Sequence, residues 1–382
     1  MGAVLSVQRH SITLASGVGS NTADLTGTPA TDTSDCIPFV TARVSTPMTN
    51  ADEHRGYAVD AYFTAGSPNK VTVETGNSSS PRAVVVEVTV VEFDSSAVKI
   101  QQGTFQITGT SHQFTAPGDH DTLAAVDRAF VYHTWQCDYF HESYKNYQIR
   151  GNLFSTTSMQ FSRLGSSGTI DGHWYIAEAL AAGDPFQVEH LDMELIATET
   201  SDTVSLVSIG PVDMSKTFLL GSHKSNDGTD SGRNNADHTM DMYLSSTTQV
   251  TITRAGSVDS LDGVVQIVEF NSGGNGAVQR GTWNEATADG DESIDITDLG
   301  SSLSEAMVHS SAATGSFTSG SFPGTTSADD PPDAHCAMSF VDSDTIRIQH
   351  GTGGGEDNND ISWETIVWST TAAPTRRVMV VG

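Results

Sequence analysis

The sequence is poor in cysteine, in basic side chains and in unbroken apolar runs, and each shortage excludes something. Three cysteines, Cys36, Cys137 and Cys336, cannot build a disulfide framework. Packing, partner subunits or bound ions must therefore hold the chain together. Lysine and arginine number 18 against 47 acidic residues, a formal net charge of −29. Such a surface repels nucleic acid backbones and anionic membranes, so neither is expected as a partner. It suits a saline medium, where screening relieves self-repulsion; an ordinary acidic extracellular or virion protein carries the same signature. No stretch approaches the roughly 20 apolar residues of a membrane-spanning helix. No basic segment followed by an apolar run opens the chain, so no signal peptide is expected. Work outside a cell would then imply release by lysis or inside a larger assembly.

Signatures of chemistry are equally scarce. Gly353-Gly354-Gly355 lacks the Lys-Ser/Thr of a phosphate-binding loop, and no Gly-x-Ser-x-Gly elbow occurs. Asn226-Asp227-Gly228-Thr229-Asp230 and Glu356-Asp357-Asn358-Asn359-Asp360 offer oxygen donors for calcium. Neither follows the twelve-residue alternating loop that ends in glutamate, and both read as solvated turns. The most reactive-looking cluster is His133, Cys137, His141 and Glu142, beside Trp135, Tyr139 and Phe140. Its spacing matches no zinc finger, and ligation by residues four apart would need a helix there. An aromatic interface patch is the preferred reading, because such side chains bury area at low entropy cost. No cofactor, metal site or catalytic residue is assigned, and the chain is expected not to be an enzyme.

What is present is repetition. A hydrophobic strand with an embedded acid reads Val90-Val91-Glu92-Phe93, Ile176-Ala177-Glu178-Ala179 and Ile267-Val268-Glu269-Phe270; in Ile366-Val367-Trp368 the acid is gone. A second marker runs Val7-Gln8-Arg9-His10, Ile100-Gln101-Gln102-Gly103, Val188-Glu189-His190 and Val278-Gln279-Arg280-Gly281. Self-similarity at a fixed period marks copies of one folding unit. Catalysis by paired carboxylates needs separations of roughly 5 to 9 Å. The recurring glutamates, one in each of the first three copies, instead suggest a solvent-face or interface position.

The copies read as β throughout. Val71-Thr72-Val73-Glu74, Met159-Gln160-Phe161-Ser162, Val250-Thr251-Ile252-Thr253 and Ile346-Arg347-Ile348-Gln349 alternate with period two. Each follows a short polar turn and an apolar strand, which predicts a hairpin in every copy. An earlier strand carries Phe39, Phe130, Phe218 or Met307 as its equivalent residue. Each unit thus reads as opening strand, second short strand, Phe-centred strand, long variable loop, hairpin and closing strand. The expected fold is all-β: four tandem antiparallel β-sandwich repeats of about ninety residues, at 1–96, 97–184, 185–275 and 276–382. Short junctions favour an elongated or compactly stacked rod. The tail Arg376-Arg377-Val378-Met379-Val380-Val381 resembles an additional strand, which either folds back or joins another subunit's sheet.

The segments Val250-Thr251-Ile252-Thr253-Arg254, Val264-Val265-Gln266-Ile267-Val268-Glu269-Phe270 and Ala277-Val278-Gln279-Arg280-Gly281 resemble the tandem β-repeat structural proteins of tailed bacteriophages. That resemblance implies a virion component (tail, baseplate, fibre or capsid decoration) carried in an extracellular particle. It also implies other virion proteins and copies of itself as partners. The alternative is a receptor- or carbohydrate-binding adhesin module, with a host-surface glycan as ligand. Candidate interface residues are Trp135, Tyr139, Phe140, Tyr144, Arg376, Val378 and Val380.

Overall fold

The computed structural model describes residues 3–44, 58–76, 83–138, 148–181, 185–226, 240–254, 257, 259–271, 276–284, 291–310, 336–350 and 360–368. These residues form twenty-four strands and short 3-10 turns, with no α-helix among them. The first unit holds β1 (Val4–Leu14), β2 (Ser20–Asp24), β3 (Cys36–Val44), β4 (Val59–Thr64), β5 (Lys70–Thr75) and β6 (Val84–Phe93). The second holds β7 (Val98–Ile107), β8 (Ser111–Thr115), β9 (Ala129–Cys137), β10 (Arg150–Ser155), β11 (Ser158–Ser162) and β12 (Ile170–Ala179). The third holds β13 (Phe186–Leu195), β14 (Ser201–Ser205), β15 (Thr217–Ser225), β16 (Asp241–Ser246), β17 (Gln249–Thr253) and β18 (Leu261–Phe270). The fourth holds β19 (Gly276–Asn284), β20 (Asp291–Asp295), β21 (Ala306–Ser310), β22 (Cys336–Phe340), β23 (Thr345–His350) and β24 (Asp360–Trp368).

The connectivity is the same in all four. The closing strand lies between the first and third strands of its unit, making a larger sheet. The hairpin pairs its two strands and adds the second strand, making a smaller one. Eight three-stranded antiparallel sheets result, two per unit. In the third unit Leu219, Val265 and Ile267 of the larger sheet pack on Met242, Val250 and Ile252 of the smaller. That is a two-layer sandwich, closed by the inward half of each alternating strand.

The closing strand changes character along its length. In β6, Val84, Val86 and Val88 are buried while Val85, Glu87 and Thr89 are half-buried, and from Val90 to Phe93 every residue is buried. Such a run needs cover on both faces. The second cover comes from the other units. Ile37, Phe39, Val91 and Phe93 of unit 1 share one apolar cluster with side chains of every other unit. Unit 2 adds Phe130, Tyr132 and Ala177, unit 3 adds Phe218, Val268 and Phe270, and unit 4 adds Met307, Ile366 and Trp368. Trp368 is fully buried. Its ring lies 5.6 Å from Phe93, 5.7 Å from Phe218 and 5.3 Å from Phe270, edge to face in each case.

The four units therefore surround a common core and do not string out. Unit 4 closes onto unit 1: the Met338 amide donates to Thr41 Oγ1 at 2.9 Å, and the Arg9 guanidinium sits 5.0 Å over the Phe340 ring. Short junctions suggest a rod on sequence grounds. They permit a closed ring equally well, and the second apolar face of each larger sheet decides between the two.

Strand register also revises one correspondence. Ile37, Phe130, Phe218 and Met307 pair with Val91, Ala177, Val268 and Ile366 respectively, so Ile37 is the true counterpart of Phe130. Phe39 pairs with Thr89 and corresponds to Tyr132, two residues along the same face. A shift of two preserves the side of the sheet, which is why the apolar pattern conceals it.

Replacing Trp368 with alanine empties the centre of the shared core and is expected to cost about 3–5 kcal/mol. The exposed control Val207→Ala should change stability by less than about 0.5 kcal/mol. Denaturant unfolding checks both; equal midpoints for W368A and the control would rule out a central role for Trp368.

Candidate functional site

The recurring polar residues are the first candidates, and their surroundings show what they do. The glutamine of the opening strand holds the backbone of the loop after the second strand. Gln8 accepts from the Thr26 amide at 2.9 Å and donates to the Thr26 carbonyl at 2.7 Å. Gln101 does the same with Asp121, and Gln279 with Thr297. In unit 3 a carboxylate stands at this position: Glu189 accepts from the amides of Val207, Ser208 and Ile209. The embedded glutamates of the closing strand act in kind. Glu178 accepts from the Ala124 amide, Glu269 from the Asp213 amide at 2.6 Å, and Glu92 from Ser6 Oγ at 2.6 Å. Glu92 and Glu178 are buried, which excludes the solvent-face half of the solvent-face or interface expectation for these two. Arg163 and Arg254, just past the second hairpin strand, are buried and donate to loop carbonyls, including Gly109 and Glu199 at 2.9 Å. Apart from Glu92, which ties β6 to Ser6 of β1, these groups are clasps for long connections.

The His-Cys cluster resolves in the same direction. His133, Trp135 and Cys137 lie on strand β9, not on a helix, and all three are buried. The His133 ring stacks on Trp135 at 5.2 Å and lies 4.9 Å from Phe161. Trp135 is 3% exposed inside the apolar core of units 1 and 2, so it offers no surface to a partner or a glycan. No group of three metal-ligating side chains converges among the described residues. His141, Glu142, Tyr139, Phe140, Tyr144, Arg376, Val378 and Val380 lie outside the described residues, as does most of the four long variable loops and of both Asp/Asn clusters.

Concave surface occurs where units meet. At each junction the third-from-last strand of one unit lies against the larger sheet of the next. A hydroxyl four residues beyond the Ile37/Phe130/Phe218 position ties the two backbones. Thr134 Oγ1 accepts from the Ala61 amide at 3.0 Å, Ser222 Oγ from the Gly151 amide at 3.0 Å, and Thr41 serves Met338. Ala61, Gly151 and Met338 are themselves equivalent, since they pair with Val73, Phe161 and Ile348. The same contact thus recurs at three junctions around the ring.

Grooves run at three of the four junctions, and the junctions differ. Between units 2 and 3, Arg150 and Asn152 reach across to Asp192. Between units 3 and 4 a cavity of about 220 Å³ is lined by Tyr243, Leu244, Gly281 and Trp363. Between units 4 and 1 a cavity of about 250 Å³ lies under Arg9 and Phe340. The groove between units 1 and 2 is much larger, about 620 Å³. Asp60, Tyr62 and Glu74 form its unit 1 wall; Gln106, His112, Gln136, Asp171 and His173 are among its unit 2 lining. Tyr62 and His173 stack in parallel at 4.4 Å. Asp60 is buried and accepts from Thr134 Oγ1 at 2.6 Å, and its other oxygen lies 2.7 Å from His173 Nδ1. The Tyr62 hydroxyl donates to Glu74 at 2.9 Å, and Gln106 donates to Asp171 at 2.7 Å. Burial, reinforced by the Glu74 hydrogen bond, pushes the Tyr62 phenol well above its ordinary range.

Compared with known proteins, the chain matches no protein-family model and no curated protein. Sequence reasoning missed the groove because its walls come from two units. The local signal was Asp60, the one charged residue of the mostly apolar strand β4.

His133 carries a pH prediction. Burial pushes its imidazole down to about 3, outweighing a backbone hydrogen bond at Ile149. The unfolded ring takes its proton near pH 6.5, so this contribution is complete above that pH and is lost as pH falls towards 3. Stability should fall with acid more steeply in wild type than in His133→Leu, by up to about 1.4 kcal/mol per pH unit. Urea midpoints at stepped pH measure the difference, and parallel curves would contradict it.

Proposed function

We propose that the chain is a structural and binding component: a rigid four-unit platform that assembles with copies of itself and with other proteins. The observation that carries this reading is the common core. All four units surrender the outer face of a sheet to it, which fixes their relative positions and leaves the rims and junction grooves to meet partners. The recurring glutamines, glutamates and arginines support the same reading, because all of them hold a loop except Glu92, which ties β6 to β1. The sequence resemblance of the repeats to tandem β-repeat phage proteins is what supports the further part of this proposal, that the platform is a tail, baseplate, fibre or decoration component of a tailed bacteriophage virion. Repeat β-sandwiches are suited to that use, since each closes its own core and presents loops on a constant scaffold. Trp135, one of the aromatics on which a glycan-binding alternative drew, is buried; Tyr139, the other, lies outside the described residues.

The test is to purify virions from the source and quantify this chain by mass spectrometry, then locate it with a specific antibody in negative-stain images. Several copies per particle at one fixed location is the expected outcome. Absence of the chain from purified virions would overturn the virion assignment. Separately, images of the isolated chain showing four beads in a line would overturn the closed platform.

A further inference from the structure

We propose that the ring opens at the junction between units 4 and 1, and that the unit 4 surface so released takes unit 1 of a second copy of this chain. The inference rests on the closed platform and is independent of the virion assignment.

Units 4 and 1 are joined in sequence only by way of units 2 and 3, whereas short links at 94–97, 180–185 and 271–275 cross the other junctions. Noncovalent contact alone therefore holds this seam, and strand register allows its contacts to be compared position by position. Arg9, Gln102, His190 and Arg280 are equivalent in the opening strands, and they pair with Thr89, Tyr175, Gln266 and Glu364 of the closing strands. At the three linked junctions the opening-strand residue reaches a carbonyl of the preceding unit. Gln102 donates to Thr33 at 3.4 Å, His190 Nε2 lies 2.8 Å from Ala129, and Arg280 donates to Thr217. At the seam Arg9 lies instead over the Phe340 ring.

The closing-strand position differs more. Gln266 takes the Val131 amide and Glu364 the Leu219 amide, each one residue past Phe130 or Phe218. Between units 1 and 2, Tyr175 serves by donating to the Ala61 carbonyl. The amide that corresponds in unit 4 is that of Val308, one residue past Met307, and unit 1 brings Thr89 to it, a side chain too short to repeat the clasp. Val308 and Thr89 both line the cavity of about 250 Å³, which stands where the longer side chains fill the neighbouring junctions. Among the described residues, neither recurring tie is repeated at the seam. Its hydroxyl clasp is kept, with Thr41 Oγ1 at 2.9 Å from the Met338 amide and 3.4 Å from its carbonyl.

Once parted, the two surfaces fit each other, so an open chain recloses on itself or exchanges with a second copy. Reclosure within the chain prevails until copies reach the effective concentration of tethered units, on the order of millimolar.

Three equivalent amides report on opening: Met338 at the seam, and Ala61 and Gly151 at linked junctions, each held by a hydroxyl. Hydrogen exchange on the full chain should find Met338 at least tenfold less protected than the other two. Thr89→Gln supplies the side chain that unit 3 uses and should raise Met338 protection at least fivefold, while the exposed Val207→Gln should not. Thermal unfolding confirms that each variant folds. For the second copy, tagged and untagged chains are mixed at about 1 mM in high salt, which screens their mutual repulsion, then diluted for affinity capture and size-exclusion chromatography. A mixed species should form. Thr89→Gln should slow its appearance by the same factor by which it raises protection, because opening precedes exchange. Equal protection of the three amides, or no mixed species, would overturn the proposal. Isolated chains imaged as four beads in a line would instead remove the closed platform on which it rests.

Discussion

The arrangement depends on one burial: the outer faces of four larger sheets pack against each other around Trp368. A sandwich of some ninety residues closes a modest core, and a three-stranded sheet has little area to spare. Giving each larger sheet a second buried face multiplies the apolar area removed from water without lengthening the strands. The residues are apportioned among units. Unit 2 brings the small Ala177 and Ala179 with the large Tyr132 and Tyr175, whereas unit 4 supplies Trp368 where units 1 and 3 have Phe93 and Phe270. A shared core must be filled once, so a large side chain in one copy is matched by small ones in another.

Polar groups around that core follow from local backbone chemistry. In unit 3, Gln266 takes the Val131 amide of unit 2 at 2.6 Å and returns a hydrogen bond to its carbonyl at 2.7 Å. In unit 4 the equivalent Glu364 takes the Leu219 amide at 2.9 Å, with Arg280 at 3.3 Å. The corresponding residue of unit 1 is Pro38, which has no amide hydrogen to give. The facing position in unit 2 is accordingly neither glutamine nor glutamate but Tyr175, whose hydroxyl turns to the Ala61 carbonyl at 3.0 Å. The missing glutamate at Val367 has a similar explanation. In unit 4 the buried acid sits three residues earlier and serves the neighbouring unit instead of a loop.

Much of this was legible in the sequence, and the illegible part has a physical cause. Alternation in Val71–Glu74 and its counterparts marked the hairpins, and the Gln8, Gln101 and Gln279 series marked one register that the strands keep. Period-two patterns report which face of a strand is dry, and they did so for all four units. They do not report what dries it, so Val91 and Phe93 read as part of a strand and not as the wall of a second core. The same blindness let Phe39 stand for Ile37. Trp135 and His133 looked like a surface cluster because aromatic and titratable residues were adjacent in sequence, whereas β9 is buried on both faces. The groove at Asp60 and His173 was out of reach, since its walls are 113 residues apart in the chain.

Covalent repetition explains why the grooves differ. A ring of four identical subunits would present four identical grooves, because every interface in a cyclic assembly is the same. Here each junction is encoded separately and free to diverge, and the units correspond best in alternate pairs. Trp174 of unit 2 and Trp363 of unit 4 each lie against a glycine, Gly103 or Gly281, where an added Cβ would come within 2.5 Å of the indole. Units 1 and 3 have Val88 and Val265 at that position, opposite His10 and Leu191. Junctions follow the same alternation. Asp60 and Tyr62 recur as Asp241 and Tyr243, and Asp241 holds Ser362 where Asp60 holds His173. Serine is shorter than histidine, and no ring among the described residues stacks on Tyr243 as His173 does on Tyr62. The two related grooves accordingly differ nearly threefold in volume, about 620 against 220 Å³. A local exchange at one strand position thus separates two sites that the backbone makes alike.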